Sequence, residues 1–232
     1  MAETFGMSFT APPDGRVIID SEFFRLTVIH KGRYVGTEES GNSSTTLFSS
    51  PFTTQEQPLI FIRPDSAAGM IGMANIEVLG GPGNWTGFRV RIYNNYTIKP
   101  VGRWFAGIFS GAPVAQFGAR ILGPGQKVIF DTGTPAALFV RATNTWTFTG
   151  SGQTGQGQTI NYFQAPFAMA EDEYVLINNM GVGVNTIGVE NSRQIGFFWD
   201  YPNRLINVGA VGIPGYNASF LGITIVVARM TS

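Results

Sequence analysis

Two stretches of this chain, one near its start and one just past its middle, carry the same residue pattern. Arg16-Val17-Ile18-Ile19-Asp20-Ser21 is matched by Lys127-Val128-Ile129-Phe130-Asp131-Thr132, every pair identical or conservative. Each is preceded by a Phe-Gly opening and a Pro/Gly turn: Phe5-Gly6-Met7-Ser8-Phe9 in the first, Phe117-Gly118-Ala119-Arg120-Ile121 in the second. Further on, Thr86-Gly87-Phe88 is echoed by Ile195-Gly196-Phe197, and Phe105-Ala106-Gly107-Ile108 by Phe220-Leu221-Gly222-Ile223. The four matches keep their order at offsets of 112, 111, 109 and 115. Repetition at a near-constant period means that one structural plan is used twice. The sequence therefore predicts two tandem domains arising from internal duplication, residues 1–112 and 113–232, with the boundary at the small-residue stretch Ser110-Gly111-Ala112-Pro113.

What each copy folds into follows from the runs between turns. Short stretches rich in Val, Ile, Phe, Thr and Trp recur at 16–20, 23–30, 59–63, 75–79, 87–93, 103–109, 127–131, 137–142, 145–149, 174–178, 194–199, 204–208 and 221–228. Such residues suit a pleated, half-buried surface. Pro12-Pro13-Asp14-Gly15, Gly80 to Asn84, Gly123-Pro124-Gly125 and Pro214-Gly215 punctuate them as turns. No stretch sustains a 3.6-residue period, so the fold class is all-β, with two β-sandwich domains of similar topology. Val17, Ile19, Val128 and Phe130 are expected to point inward, and a turn or two of helix is expected near Pro166 to Asp172. The uncharged Gly150 to Gln158 segment reads as a loop or a polar strand tip.

Composition narrows the function classes. The chain has 15 basic and 15 acidic residues, a formal net charge of +0, which disfavours a nucleic-acid or anionic-membrane partner. Charged residues make up only 13% of it, about half the usual share, so apolar surface is plentiful. The absence of Cys removes disulfides, thiolate metal sites and a cysteine nucleophile. Neither a signal peptide nor a membrane span is expected from the sequence pattern.

Few residues carry chemistry. Gly150, Gly152 and Gly155 fit a dinucleotide fingerprint, but Gln156-Gly157-Gln158-Thr159-Ile160 follows where a helix N-terminus would have to receive the phosphates. His30 is the only histidine, so a histidine metal cluster cannot form around it, and it reads as a structural residue on a strand. Asp131, Glu190 and Asp200 are scattered and read as turn-forming acids rather than a hydrolase pair. No catalytic residue, cofactor or metal is expected. Arg89 and Arg91 alternate with apolar neighbours on one strand and suit either a protein interface or a solvent face. Most aromatics belong in a core. Trp85, Trp146, Tyr162 and Tyr216 stand near loops and are the candidates for a binding surface. Asn42, Asn84, Asn95 and Asn217 begin glycosylation-type triplets that read more simply as turn chemistry.

The repeated opening, Gly6 to Ser21 and again Gly118 to Thr132, resembles small β-rich virion proteins of tailed bacteriophages. Those proteins often read Gly-Leu-x-Val-x-Asn-x-x-Gly-x-x-x-x-Asp-Ser near the start. Met7-Ser8-Phe9-Thr10 departs from that pattern, with Ala11-Pro12-Pro13 standing where an Asn-containing turn is usual. The resemblance implies a non-enzymatic structural component of the tail, at the distal tip or baseplate, assembled in the bacterial cytoplasm. It implies other tail proteins as partners, β-rich interfaces and a homo-oligomer. A trimer would be one way to present six similar domains to a sixfold ring. A receptor- or glycan-binding virion protein using the loop aromatics is the alternative.

Overall fold

The structure, a computed structural model, describes residues 8–11, 16–20, 25–35, 43–92, 98, 100–110, 116–153, 157–180, 184–186, 189–212 and 221–231. Tyr216, Gly155, the linker Gly111-Ala112-Pro113 and the turns Pro12 to Gly15 and Pro214-Gly215 lie outside them, as do Asn42, Asn95 and Asn217.

The chain is all-β. Its first half holds β1 (Ser8–Ala11), β2 (Arg16–Asp20), β3 (Leu26–Tyr34), β4 (Ser43–Phe52), β5 (Leu59–Pro64), β6 (Ile71–Gly81), β7 (Asn84–Ile92) and β8 (Gly102–Phe109). The second holds β9 (Arg120–Leu122), β10 (Val128–Asp131), β11 (Ala137–Thr143), β12 (Thr147–Gln153), β13 (Thr159–Pro166), β14 (Glu173–Leu176), β15 (Val184–Thr186), β16 (Val189–Asp200), β17 (Leu205–Gly212) and β18 (Ile225–Met230). The helix expected near Pro166 to Asp172 is absent. Pro166 ends β13 instead, and the only helical turn described is a 3-10 turn at Pro124–Gln126.

Two large antiparallel sheets face each other. One has the order β11-β18-β14-β5-β8-β3, the other β12-β13-β17-β16-β6-β7-β4, with β15 beside β16. Their facing sides share one core that draws on both halves: Ile60, Ile62, Trp104, Val175 and Val227 from the first sheet, Met73, Phe88, Phe163, Phe197, Trp199 and Val208 from the second. The second face of the smaller sheet is buried too. Its outer strands curl until they meet, with Thr27 bridging Ala136 and the Val28 amide donating to the Pro135 carbonyl. The curl encloses Leu26, Val28, Phe61, Phe105, Ala137, Tyr174 and Ala228, with Phe61 stacked on Phe105 at 4.7 Å. Burial on both faces explains why Leu59 to Ile62 is an unbroken apolar run rather than an alternating one.

The two halves follow the same strand order. A small hairpin comes first (β1-β2, β9-β10), then an outer strand of the curled sheet (β3, β11), a lateral strand of the larger sheet (β4, β13) and a central strand of each sheet (β5 and β6, β14 and β16). Next come the neighbour of the larger sheet's central strand (β7, β17) and the strand that completes the curl (β8, β18). Local detail agrees. β3 carries a bulge between Val28 and His30 opposite Gly107 and Ala106, and β11 carries one between Phe139 and Arg141 opposite Ala228 and Val227. Among the described residues, β12, a strand added outside β13, is found in the second half alone.

The expectation of two separate sandwiches is revised by the seam between the halves. β5 pairs with β14 through Ile62 and Phe61, and β6 pairs with β16 from Ile71 to Ala74, so both sheets run across position 112 without interruption. The physical reason is edge closure: either half alone would leave β5 and β6 as long apolar edges, and joining them removes four edges at once. The halves are antiparallel across this seam.

Two of the four sequence matches fall on corresponding hairpins. The other two do not. Gly87 lies in β7 whereas Gly196 lies in β16, the counterpart of β6, and Leu221 to Ile223 precede β18. β-alternation draws on few residue types, so short matches slip, and β12 lengthens the second half. Gly107 has its own cause: a Cβ there would run into the Thr27 carbonyl of the adjacent strand.

Candidate functional site

The curled sheet has two ends, and they differ. At one end, where β5 begins and β8 ends, a groove of about 360 Å³ lies among Thr54, Gln55, Glu56, Gln57, Leu59, Gly107, Ile108 and Phe109. Leu59 and Gly107 pair across the strands and form its apolar floor. Phe109 stands half exposed at its lip.

The polar wall of the groove is the segment between β4 and β5, and it is firmly held. Trp85 Nε1 donates to the Thr54 carbonyl at 3.1 Å, and the Gly83 amide donates to the same oxygen at 2.9 Å. Thr54 Oγ1 donates to the Glu56 carbonyl. Asn178, from the second half, donates to Gln57 Oε1 and to the Pro58 carbonyl while accepting from the Ile60 amide at 2.8 Å. Binding walls fixed in this way lose little freedom when a ligand arrives. Amide and carboxylate groups above an apolar floor suit a neutral, hydroxyl-rich or peptide-like ligand more than a charged one.

The opposite end is filled. Glu173, 2% exposed, accepts from Arg141 at 2.9 Å, from Arg229 at 3.4 Å and from the Ala170 amide at 3.0 Å. Arg63 donates to the Ala170 carbonyl and lies over the Tyr201 ring, while Arg103 donates to the Glu171 carbonyl and lies over Tyr174. Arg33 pairs with Asp65, and that contact raises the guanidinium pKa. Burial is the main cause that pushes the Tyr201 hydroxyl up to about 12, with the Arg63 charge opposing it. Tyr201 donates to the Pro64 carbonyl at 2.5 Å. These groups bind one another across that end.

The residues picked out by sequence fall in different places. Trp85 and Trp146 are half-buried and spend their indole N–H groups inside the protein, the latter on the Ile223 carbonyl at 2.7 Å. Trp85 thus positions the groove wall rather than presenting a platform. Tyr162 is 41% exposed on β13, across from Gly150 and next to Gly152. Arg89 and Arg91 project from the outer face of the larger sheet, since Phe88 and Val90 between and beside them are buried; Arg89 faces Glu77 at 3.5 Å. The structure does not gather these five described positions into one site. The groove itself was invisible in the sequence because its wall is an ordinary Thr/Gln/Glu loop and its lip comes from a distant strand.

The Glu190 side chain lies outside the described ones, and the remaining candidates that are described are structural. His30 stacks on Phe48 with a 5.5 Å ring separation, meets Phe52 edge-on and shares a 3.0 Å hydrogen bond with Ser49 Oγ. Its pKa is lowered by desolvation, against a backbone hydrogen bond at Ser50 that raises it. Asp131 binds Arg120 at 2.8 Å and caps the Gly133 amide; Asp200 caps Asn203. Gly150 and Gly152 lie within a strand, and the strand β13 follows, so among the described residues no helix N-terminus stands behind the glycine pattern. Among the described residues no group of three metal-ligating side chains occurs, and no helix is long and apolar enough to cross a membrane.

Fold and groove together define an all-β protein of two facing sheets, one of them curled on itself with an open mouth at one end. No family model, curated protein or solved structure matches the chain.

Proposed function

We propose that this chain is a non-enzymatic structural component of a bacteriophage tail, at the distal tip or baseplate, that assembles through β-rich interfaces. The observation that carries the reading is where apolar surface is exposed. Ile29 on β3, Leu47 on β4, Leu138 and Phe139 on β11, and Phe148 on β12 are all exposed, and these are the outer strands of the two sheets. Phe117, beside the β9-β10 hairpin, is 92% exposed. Apolar groups exposed on the outer strands suit lateral association that buries them. The sparse charge of the chain favours the same behaviour.

The experiment is to purify intact virions of the phage that encodes the chain and locate it by mass spectrometry and electron cryomicroscopy. Density for the two-sheet fold at the tail tip or baseplate is the expected result. Virions that lack the chain would refute the reading.

A second reading, recognition of a host-surface receptor or glycan, is favoured by the groove beside Phe109. Glu56→Ala with Phe109→Ala should then abolish binding of the purified protein to host cells while leaving its fold intact. Unchanged binding would exclude the groove.

A further inference from the structure

We propose that the outer edge of β12 pairs antiparallel with β12 of a second copy of this chain, making the larger sheet continuous across a two-fold axis. Four outer strands end the two large sheets, and three of them are blunted. β3 and β11 meet each other through the Thr27 to Ala136 bridge and carry His30, Lys31, Arg33 and Arg141. β4 departs from regular pairing between Leu47 and Phe52, carries Pro51 there and packs Phe48 and Phe52 against His30.

β12 has none of these protections beyond a single bulge between Phe148 and Gly150. It pairs with β13 on one side, and no described strand pairs with the other. Its side chains are largely exposed on both faces, so it overhangs the sandwich rather than covering it. No Lys, Arg, Asp or Glu occurs from Ala142 through Ala170.

The occupant follows from the chemistry of the edge. A foreign strand is selected by charge or by side-chain pockets, and an edge of Thr, Gly, Ser and Gln offers neither. An uncharged antiparallel edge is complementary to itself, because a two-fold rotation places equal edges side by side with no like charges opposed. The same contact would cover Phe148, and side chains of the incoming strand would reach the Tyr162 ring that Gly152 leaves open.

The test is independent of the virion reading: a dimer absent from virions would refute only the proposed function, and a monomer found in virions only this one. Native mass spectrometry and sedimentation velocity on the full chain should show a dimer, with hydrogen exchange slowed at 147–153. Thr147→Lys with Gln153→Lys should weaken the dimer at least about tenfold, and mixing that variant with Thr147→Glu and Gln153→Glu should restore a heterodimer. Circular dichroism verifies that each variant is folded. A monomeric wild type, a dimer that survives the lysines, or slowed exchange that appears only with a different protein would each overturn the proposal.

Discussion

The two ends of the curled sheet occupy corresponding positions in the two halves, yet one is open and the other plugged. At the open end, Leu59, Gly107 and Phe109 meet the Thr54 to Gln57 segment and leave a groove. At the plugged end, Arg63, Arg103, Arg141 and Arg229 bind the segment from Ala168 to Asp172 and Glu173. The bulges repeat the contrast: the residue after each is His30 on Phe52 in one half and Arg141 over Phe167 in the other. Apolar residues hold the shared plan, and a few polar substitutions decide what each copy of it can offer. The arginines of both halves tie the end built on residues 168–173, and the groove lies at the other end.

The largest effect should come from breaking what the halves share. Phe61→Ala removes a ring stacked on Phe105 at the seam and should cost about 3–5 kcal/mol. It should lower a single unfolding transition seen by calorimetry, because one core spans both halves. Two separate transitions would mean that the halves fold independently.

Glu173→Gln tests the plug alone. It removes the buried charge that Arg141 and Arg229 share and should cost about 2–3 kcal/mol in urea unfolding. Hydrogen exchange should rise at residues 168–172 and stay unchanged at 54–57. An equal rise at both ends would show that the ends are coupled.

Trp85→Phe tests the groove wall in the same manner. Losing the indole N–H on the Thr54 carbonyl should cost about 1 kcal/mol, with faster exchange confined to 54–57. Faster exchange at 168–172 instead would contradict the placement of Trp85.

The smallest effect is a pH dependence set by one residue of the first half. His30 is packed against two phenylalanine rings, and its pKa is lowered from 6.5 mainly by desolvation. The unfolded chain therefore binds the proton more readily than the folded one as pH falls through the unfolded value. Stability should be full above about pH 6.5 and decline below it. His30→Phe should flatten the urea midpoint between neutral pH and the onset of carboxylate titration. As His30 is the only histidine, an unflattened profile would assign the slope to other groups.

Strands were legible where their residues are apolar. Arg16–Asp20 and Leu59–Pro64 stand where the pattern puts them, because β-branched and aromatic runs between turns have few other uses. β4 and β13 were missed for the opposite reason. Ser43–Phe52 is mostly Ser and Thr, and Thr159–Pro166 mixes Asn, Gln and Pro with its apolar residues, so neither shows a clean alternation. Of the candidate site, only single residues were legible. Trp85 was singled out for its place in a Gly/Pro/Asn loop, but its role depends on the Thr54 carbonyl, which local patterning cannot reveal.

By itself the sequence determined that the chain is all-β and that charge is too sparse to cover the surface. These are properties of local pattern and composition, fixed by which residues suit a pleat and a turn. Only the tertiary structure decided that the two copies share one core, that one sheet curls until its outer strands meet, and that one end stays open while the other is tied shut. Those outcomes rest on pairings between residues more than a hundred positions apart, Phe61 with Leu176 and Gln57 with Asn178 among them, and on which free edges find partners.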